Sequence, residues 1–232
     1  METKIIHYCW FGKNKKPRLI KRCIKSWSKI LPSFKIIEWN ESNFDIANSC
    51  RYVQEAYSMK KWAFVSDYVR LYVLNKYGGL YLDTDVELLK SPENLLTPFL
   101  AFENEKSINP GLICYFEKND SFCQILLSEY ERDFFICENG SLNKKTICLR
   151  TNDFFEKRGI SFNDKTQVID GYHIYDSSYF CPKNGLTGKI DKDKLKSAFS
   201  IHHYKASWIP IHQKIRWKIR LFFRKLFKNH QK

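Results

Sequence analysis

The most informative segment of the sequence is "YGGLYLDTDVELL", residues 77–89. Two glycines end a helical pattern, a short apolar strand follows, and Asp83 and Asp85 then stand one residue apart. Side chains at i and i+2 of an extended chain point to the same side, so both carboxylates can converge on one point. Unpaired, they would repel each other, whereas a hard cation such as Mg²⁺ or Mn²⁺ binds carboxylates together with phosphates. The segment therefore predicts a metal–diphosphate site, with an ordinary acidic surface turn as the alternative.

The segment before the glycines predicts a helix that leads directly into this site. In "KKWAFVSDYVRLYVLNK", residues 60–76, apolar side chains recur every three or four positions, and Gly78 suits the position just after a helix. Asp67 and Arg70 are i, i+3 neighbours on one face. A surface ion pair would explain them, but the helix is otherwise apolar, which favours a role at the site.

Length and composition indicate one globular α/β domain. The chain has 232 residues, of which 44% are hydrophobic and 16% aromatic. The segments 4–12, 17–32 and 34–40 read as strand, helix and strand, which is typical of a parallel α/β unit.

Further elements are predicted later in the chain. A short helix is expected at 51–59, strands at "FLAFE" and "GLICYFE", and an amphipathic helix near 122–130, whereas 166–205 reads as irregular.

The cysteines and the first residues indicate a reducing compartment. Eight cysteines are scattered without a C-x-x-C pair, and the start, "METKIIHYCWFG", has no signal-peptide pattern. Free thiols, no disulfide scaffold, no zinc ribbon and no membrane-spanning helix are therefore expected.

The positive charge is concentrated at the C-terminus. The net charge is +14, and after Asp193 there are eleven Lys and Arg residues and no acidic residue. The segment "IHQKIRWKIRLFFRKLFK" predicts an amphipathic helix with an apolar face and a basic face, although Trp217 and Leu221 interrupt the basic face. We therefore expect a catalytic domain at 1–208 and a basic amphipathic helix at 209–232. Such a helix suits an anionic membrane surface, and the alternative is that its apolar face packs on the domain.

Taken together, the motifs resemble those of a known enzyme family. "KIIHYCWFG", then A-x-x-S-D-x-x-R, then Y-G-G-x-Y-x-D-x-D, is similar to the DXD-containing glycosyltransferases of family 32, with the strong likeness over about residues 3–105. That family includes bacterial capsular and lipopolysaccharide transferases, and it resembles more distantly the catalytic domain of the large clostridial glucosylating toxins. Near the end, "SIHHYKASW" resembles the family's H-H-x-x-x-S-W element, with a Lys and an Ala where small residues and glycine are usual.

The resemblance implies a GT-A fold, a single α/β/α domain around a mostly parallel twisted sheet, and a role for each residue of the site. Three side chains are implied in catalysis: Asp67, Arg70 and Asp85. The nucleotide-sugar is expected to contact a larger set: Trp10, Ser66, Asp67, Arg70, Asp83, Asn109, Ser207 and Trp208. Three residues are implied as ligands of Mn²⁺ or Mg²⁺: Asp83, Asp85 and His203. Core packing is an alternative for Trp10, and the sequence does not separate His203 from His202.

The implied reaction is transfer of a sugar, with retention of configuration, from a nucleotide-sugar to a glycan or a lipid-linked acceptor in cell-surface polysaccharide synthesis. UDP-sugars are the favoured donors. The basic helix would place the enzyme on the cytoplasmic face of the plasma membrane.

Two other classes of function remain open on the sequence alone. A catalytically silent family member acting as a scaffold is one, because the "HHYKASW" element is altered. A basic nucleic-acid-binding protein is the other, but it would leave Asp83 and Asp85 without a role, so no nucleic-acid partner is expected.

Overall fold

The structure is a computed structural model that describes residues 1–185 and 187–205. Its strands are β1 (Ile5–Cys9), β2 (Lys35–Trp39), β3 (Gly79–Tyr81), β4 (Val86–Leu88), β5 (Phe99–Asn104), β6 (Ser107–Ile108), β7 (Cys114–Phe116), β8 (Gln167–Ile169), β9 (Tyr172–Tyr175) and β10 (Ser200–His202). Its helices are α1 (Arg18–Ile30), α2 (Arg51–Ser58), α3 (Trp62–Tyr77), α4 (Ser121–Arg132), α5 (Ile147–Glu156), α6 (Ser177–Phe180) and α7 (Lys192–Ser197).

The main sheet has the strand order β2-β1-β3-β7-β5-β9-β8, with β6 paired to β5. Strands β2, β1, β3, β5 and β9 point the same way, and β7, β8 and β6 run against them. The predicted α/β class with a mostly parallel sheet is confirmed.

Helices cover both faces of this sheet because its strands are apolar on both sides. Along β5, Phe99 and Ala101 belong to the core that α1 covers, whereas Leu100 and Phe102 belong to the core under α2, α3, α4 and α5. This alternation follows from the two-residue period of a strand and produces the expected α/β/α layering.

A second, two-stranded sheet joins the C-terminal part of the described chain to the acidic segment. Strand β10 pairs antiparallel with β4, with His202 opposite Val86. The indole of Trp27, which is fully buried on α1, donates a hydrogen bond to the Val86 carbonyl at 2.7 Å. Helix α1 and β10 therefore both fix β4, which begins one residue after Asp85.

Most elements up to residue 132 agree with the prediction. The strand, the helix and the strand at the start, the helix before Gly78 and the helix near 122–130 are present within about two residues of the expected bounds. The region 166–205, predicted to be irregular, instead contains β8, β9, α6, α7 and β10, and α5 was not predicted at all.

The eight cysteines are free, as expected, and five of them are buried. Within the described residues no helix is long and apolar enough to cross a bilayer. The predicted basic helix at 209–232 lies outside the described residues, so that division of the chain remains a prediction.

Candidate functional site

The candidate site lies where parallel strands end. Strands β1, β3 and β5 point the same way, and Trp10, Asp83 and Glu103 lie at or just beyond their carboxyl ends. Open α/β sheets bind ligands at this edge. The topology of the sheet therefore brings the ends of these three strands to one edge.

A buried arginine joins two of the predicted carboxylates. Arg70 on α3 is 3% exposed, and its Nη2 lies 2.9 Å from Asp83 Oδ1 and 3.6 Å from Asp67 Oδ1. The guanidinium also stacks on Tyr81, with 4.4 Å between its carbon and the ring centroid. Asp67 accepts a second hydrogen bond, from the Ile147 amide at the start of α5, at 3.1 Å. The predicted Asp67–Arg70 pair is thus part of the interior and not a surface ion pair.

Burial changes the protonation of this cluster. It raises the pKa of Asp67 to about 6, although the Arg70 charge and the Ile147 amide act to lower it. Burial also raises the pKa of Asp83 above its usual range, and Arg70 and His202 partly offset this. For Arg70, burial alone would lower the pKa, but the neighbouring charges, that of Asp83 above all, raise it above its ordinary value. Arg70 therefore keeps its positive charge beside two carboxyl groups, those of Asp67 and Asp83, whose pKa values are raised by burial.

The loop before β7 forms the wall next to Asp83. The Asp83 amide donates to the Gly111 carbonyl at 2.9 Å, and the Gly111 amide donates to Asn109 Oδ1 at 2.7 Å. A Cβ at Gly111 would lie only 2.1 Å from Asp83 Oδ2. Gly111 therefore allows the carboxylate to lie against the backbone, and Asn109, which is 8% exposed, orients that backbone.

The second aspartate of the motif is held by the C-terminal strand. Asp85 Oδ1 lies 3.1 Å from His202 Nε2, and Asp85 Oδ2 accepts the Lys205 amide at 2.6 Å. The Asp85 carbonyl also accepts the His203 amide at 2.9 Å. Burial alone would raise the pKa of Asp85, but His202 and the Lys205 amide lower it to about 2. Asp85 is therefore an anion in a buried place.

The structure places the two adjacent histidines against different carboxylates. His203 was expected in the metal shell, but its Nε2 lies 2.8 Å from Glu87 Oε2, and His202 is the side chain that contacts Asp85. Burial alone would lower the pKa of His202, but the Asp85 charge and hydrogen bond raise it. Adjacent residues of a strand point to opposite sides, so only one of them can face Asp85.

The acidic residues of the motif suit the implied Mg²⁺ or Mn²⁺ ion together with an anionic ligand. Among the described residues, no three His, Cys, Asp or Glu side chains are arranged to hold a metal by themselves. Two carboxylates completed by phosphate and water oxygens are nevertheless the usual surroundings of Mg²⁺. In addition, His202 Nδ1 and Arg70 Nε are buried without a hydrogen-bond partner in the described part of the chain. Asp83 and Asp85 thus fit a cation that arrives with an anionic ligand, and His202 adjoins them through its contact with Asp85.

Of the remaining predicted residues, Trp10 and Ser66 make contacts with their own neighbours. Trp10 follows β1, where its indole donates to the Asn14 carbonyl at 2.7 Å and Lys16 Nζ lies 5.5 Å from its ring. Ser66 is within hydrogen-bond reach of the Cys9 thiol. Ser207 and Trp208 lie outside the described residues.

Several contributors were not identified from the sequence. The Ile147 and Lys205 amides belong to segments whose position depends on tertiary contacts, and backbone donors leave no residue-type signal. Glu103 forms a hydrogen bond with Tyr204, whose ring lies 4.2 Å from that of His202. Glu103 lies near the carboxyl end of β5, and its place in the sequence gives no sign that it lies near His202.

Comparisons with known proteins agree with this geometry. Residues 17–101 match the model of the glycosyltransferase sugar-binding region containing the DXD motif. No curated protein matches the chain.

Two solved structures are similar in shape. The PaToxG glycosyltransferase has a TM-score of 0.45 and 20% identity, and the match covers 56% of this chain and 62% of that one. A glycosyltransferase involved in the glycosylation of the major capsid of PBCV-1 has a TM-score of 0.44 and 12% identity, over 85% and 92% of the two chains.

The family match contains α3, the Gly-Gly turn and both aspartates of the motif, which are the elements that build the described site. The resemblance predicted from the sequence is therefore confirmed over residues 17–101, which match the DXD-containing sugar-binding region of glycosyltransferases.

Proposed function

We propose that the chain transfers a sugar from a nucleotide-sugar, with UDP-sugars favoured, to a glycan or a lipid-linked acceptor in cell-surface polysaccharide synthesis. The observation that carries this proposal is the arrangement of Arg70, Asp83, Asp85 and His202 at the carboxyl edge of the sheet. The Arg70 guanidinium and the carboxylates of Asp83 and Asp85 lie where an open α/β sheet binds its ligand. All three residues belong to the matched DXD region.

Arg70 and Asp67 suit the two halves of such a donor. The ion pair with Asp83 holds the Arg70 guanidinium in place. Arg70 can donate hydrogen bonds to a diphosphate, whose negative charge grows as the sugar leaves. Asp67 Oδ2 is engaged by the Ile147 amide, whereas Oδ1 lies 3.6 Å from Arg70 and keeps lone pairs for a sugar or ribose hydroxyl. In this proposal Asp67 orients the donor and Arg70 stabilises the leaving group.

Asp83, Asp85 and His202 would hold Mn²⁺ or Mg²⁺. The ion, when bound, neutralises charge on the diphosphate. Asp85 is already ionised, whereas His202, whose pKa is raised by its contact with Asp85, would have to be unprotonated to serve as a ligand.

Retention of configuration is carried over from the resemblance, and we propose a front-face reaction. The acceptor oxygen forms a bond to the anomeric carbon as the bond from that carbon to the diphosphate oxygen breaks. The acceptor proton goes to the departing diphosphate, so no covalent enzyme intermediate is required.

The test is turnover of UDP-glucose, UDP-galactose, UDP-N-acetylglucosamine and GDP-mannose, each with Mn²⁺ and with EDTA. We expect one donor to be consumed only with the cation, and proton NMR to show a product with the anomeric configuration of the donor. Inversion would contradict the front-face step, and no turnover of any donor would favour the silent-scaffold alternative. Nucleic-acid binding that persists in EDTA and falls with salt would favour the other alternative.

The tail suits a membrane surface on the cytoplasmic side. Eleven Lys and Arg residues without an acidic residue follow Asp193, and each basic residue near an anionic surface contributes about 1 kcal/mol. We expect the full chain to sediment with vesicles that contain phosphatidylserine and not with phosphatidylcholine vesicles. Replacing Lys214, Lys218, Arg224 and Lys225 by Gln should abolish sedimentation, and unchanged sedimentation of that variant would contradict the proposal.

A further inference from the structure

The position of Asp67 depends on helix α5. Ile147 is the first residue of α5, and its amide donates to Asp67 Oδ2 at 3.1 Å. The opposite oxygen of Asp67 lies 3.6 Å from Arg70. A shift of α5 would therefore release one side of the carboxylate and leave it to rotate about its own side-chain bonds.

Arg150 lies one turn further along α5 and anchors that helix to α4. The residue is 1% exposed, and its Nη1 lies 3.3 Å from Glu129 Oε2, while Nη2 forms an ion pair with Asp133. Its guanidinium also stacks on Tyr130, with 4.1 Å between its carbon and the ring centroid. All three partners belong to α4 or to the residue after it. Arg150 is thus a polar clamp between the two helices.

Packing alone does not explain an arginine at this position. A buried charge loses its hydration, and apolar residues of similar volume often stabilise a fold equally well. Arginine differs from them in geometry, because its planar fork binds carboxylates in fixed directions. A clamp of this kind sets the position of a helix more sharply than apolar contacts do.

Arg150 and Asp67 also interact electrostatically with each other and with the same two tyrosines, Tyr52 and Tyr130. The charge of Arg150 acts on Asp67, and the charge of Asp67 acts on the hydroxyls of Tyr52 and Tyr130. The rings of Tyr52 and Tyr130 are in edge contact, with centroids 4.9 Å apart. Arg150 and Asp67 therefore belong to one buried polar region between α2, α3, α4 and α5.

From this geometry we infer that Arg150 is a positioning residue, which holds the N-terminus of α5 so that the Ile147 amide orients Asp67 for the sugar donor. The inference rests on the proposed function of Asp67 and adds a residue that does not touch the donor. It predicts that the effects on kcat/KM of replacing Arg150 and Asp67 are not additive.

The experiment is a double-mutant cycle with Arg150→Met and Asp67→Asn. Its substrate is whichever of UDP-glucose, UDP-galactose, UDP-N-acetylglucosamine and GDP-mannose the wild type turns over with Mn²⁺. We expect Arg150→Met to lower kcat/KM for the donor at least tenfold in the wild-type background and less than twofold in the Asp67→Asn background. The control is Arg158→Met, since Arg158 stacks on Phe154 of the same helix at 3.6 Å and pairs with Asp170, with no contact to Asp67. That control should keep kcat/KM within twofold.

A second readout needs no donor. Hydrogen exchange of the Ile147 amide should be at least tenfold faster in Arg150→Met than in the wild type, with Arg158→Met unchanged, under conditions where all three chains are folded. Equal losses in both backgrounds, or unchanged exchange at Ile147, would overturn the inference alone. A wild type that turns over none of these four donors would overturn the proposed function and the inference with it.

Discussion

Among single residues, Gly111 sets the place of the Asp83 carboxylate. A Cβ at position 111 would lie 2.1 Å from Asp83 Oδ2 and 2.9 Å from Asn109 Oδ1, so both side chains would have to move. The Arg70–Asp83 pair at 2.9 Å would be broken by that movement. The site thus depends on a residue that contributes no functional group.

We expect Gly111→Ala to lower cation-dependent sugar transfer at least tenfold, because Asp83 is displaced from Arg70. The matched control is Gly140→Ala. Gly140 has a φ of +76° and no atom within 4 Å of its added Cβ, so this variant should lose about 1 kcal/mol of stability and keep its activity. Activity assays and urea unfolding of both variants provide the check. Full activity of Gly111→Ala would show that sugar transfer does not depend on the position of the Asp83 carboxylate beside Arg70.

The two adjacent histidines allow a direct comparison. His202 contacts Asp85 at 3.1 Å and His203 contacts Glu87 at 2.8 Å, so only His202 can join Asp85 at a cation. We expect His202→Gln to raise the Mn²⁺ concentration for half-maximal activity at least tenfold, and His203→Gln to change it less than twofold. The reverse order of effects in a Mn²⁺ titration would restore His203 as the ligand.

Sequence reasoning reached the aspartates but not the histidine for a physical reason. Asp67, Arg70, Asp83 and Asp85 lie on consecutive elements whose geometry is local, so their spacing carries the information. The histidine contact depends on the pairing of β10 with β4, between residues 117 positions apart, and no local pattern encodes it.

Among the elements, the small β4–β10 sheet connects the fold to the site. Trp27 of α1 donates to the Val86 carbonyl at 2.7 Å, and Val86 lies opposite His202. Helix α1 therefore supports both Asp85, next to Val86 in the chain, and its histidine partner.

We expect Trp27→Phe to lower the free energy of unfolding by about 2–4 kcal/mol, because a buried carbonyl loses its partner and a cavity forms. It should also weaken Mn²⁺ binding, since β4 loses its anchor. Ser28→Ala on the same helix removes an exposed hydroxyl that donates to the Lys25 carbonyl, and it should change neither quantity. Urea unfolding and Mn²⁺ titration of both variants would test this, and a loss of stability with unchanged Mn²⁺ affinity would refute the link.

The elements that were missed show where local patterns are insufficient. Helix α5 is amphipathic, but Phe154 and Phe155 pack on α4 and Tyr172, so its helical state depends on contacts made late in the chain. The β8–β9 hairpin did carry a signal: Asp170-Gly171, with φ of 50° and 83°, is a typical two-residue turn. The segment around this turn is rich in polar residues, which weakens the alternating pattern typical of strands.

For the molecule as a whole, the Asp85–His202 pair links stability to pH. The pKa of Asp85 falls from 3.8 to about 2 on folding, so its contribution, about 2 kcal/mol, is present above about pH 4 and is lost as the pH falls towards 2. The pKa of His202 rises on folding, so its contribution is present below 6.5 and is lost as the pH rises through the folded-state value.

We therefore expect wild type to exceed Asp85→Asn in free energy of unfolding by the largest margin near pH 5, with a smaller margin near pH 3 and near pH 8. Urea unfolding of both chains at about these three pH values measures the margin. A margin that is the same at all three values would mean that the pair does not titrate as the structure indicates.

The central claim is that Asp83 and Asp85 bind a nucleotide-sugar through a divalent cation. Thermal unfolding of the wild type and of Asp85→Asn with UDP, GDP, CMP and their sugars, each with Mn²⁺ and with EDTA, tests it most directly, because a ligand of the native state raises the midpoint. We predict that one nucleotide raises the wild-type midpoint with Mn²⁺ only, and that Asp85→Asn stays folded but shows no shift. A shift of equal size in EDTA, or in Asp85→Asn, would contradict the claim.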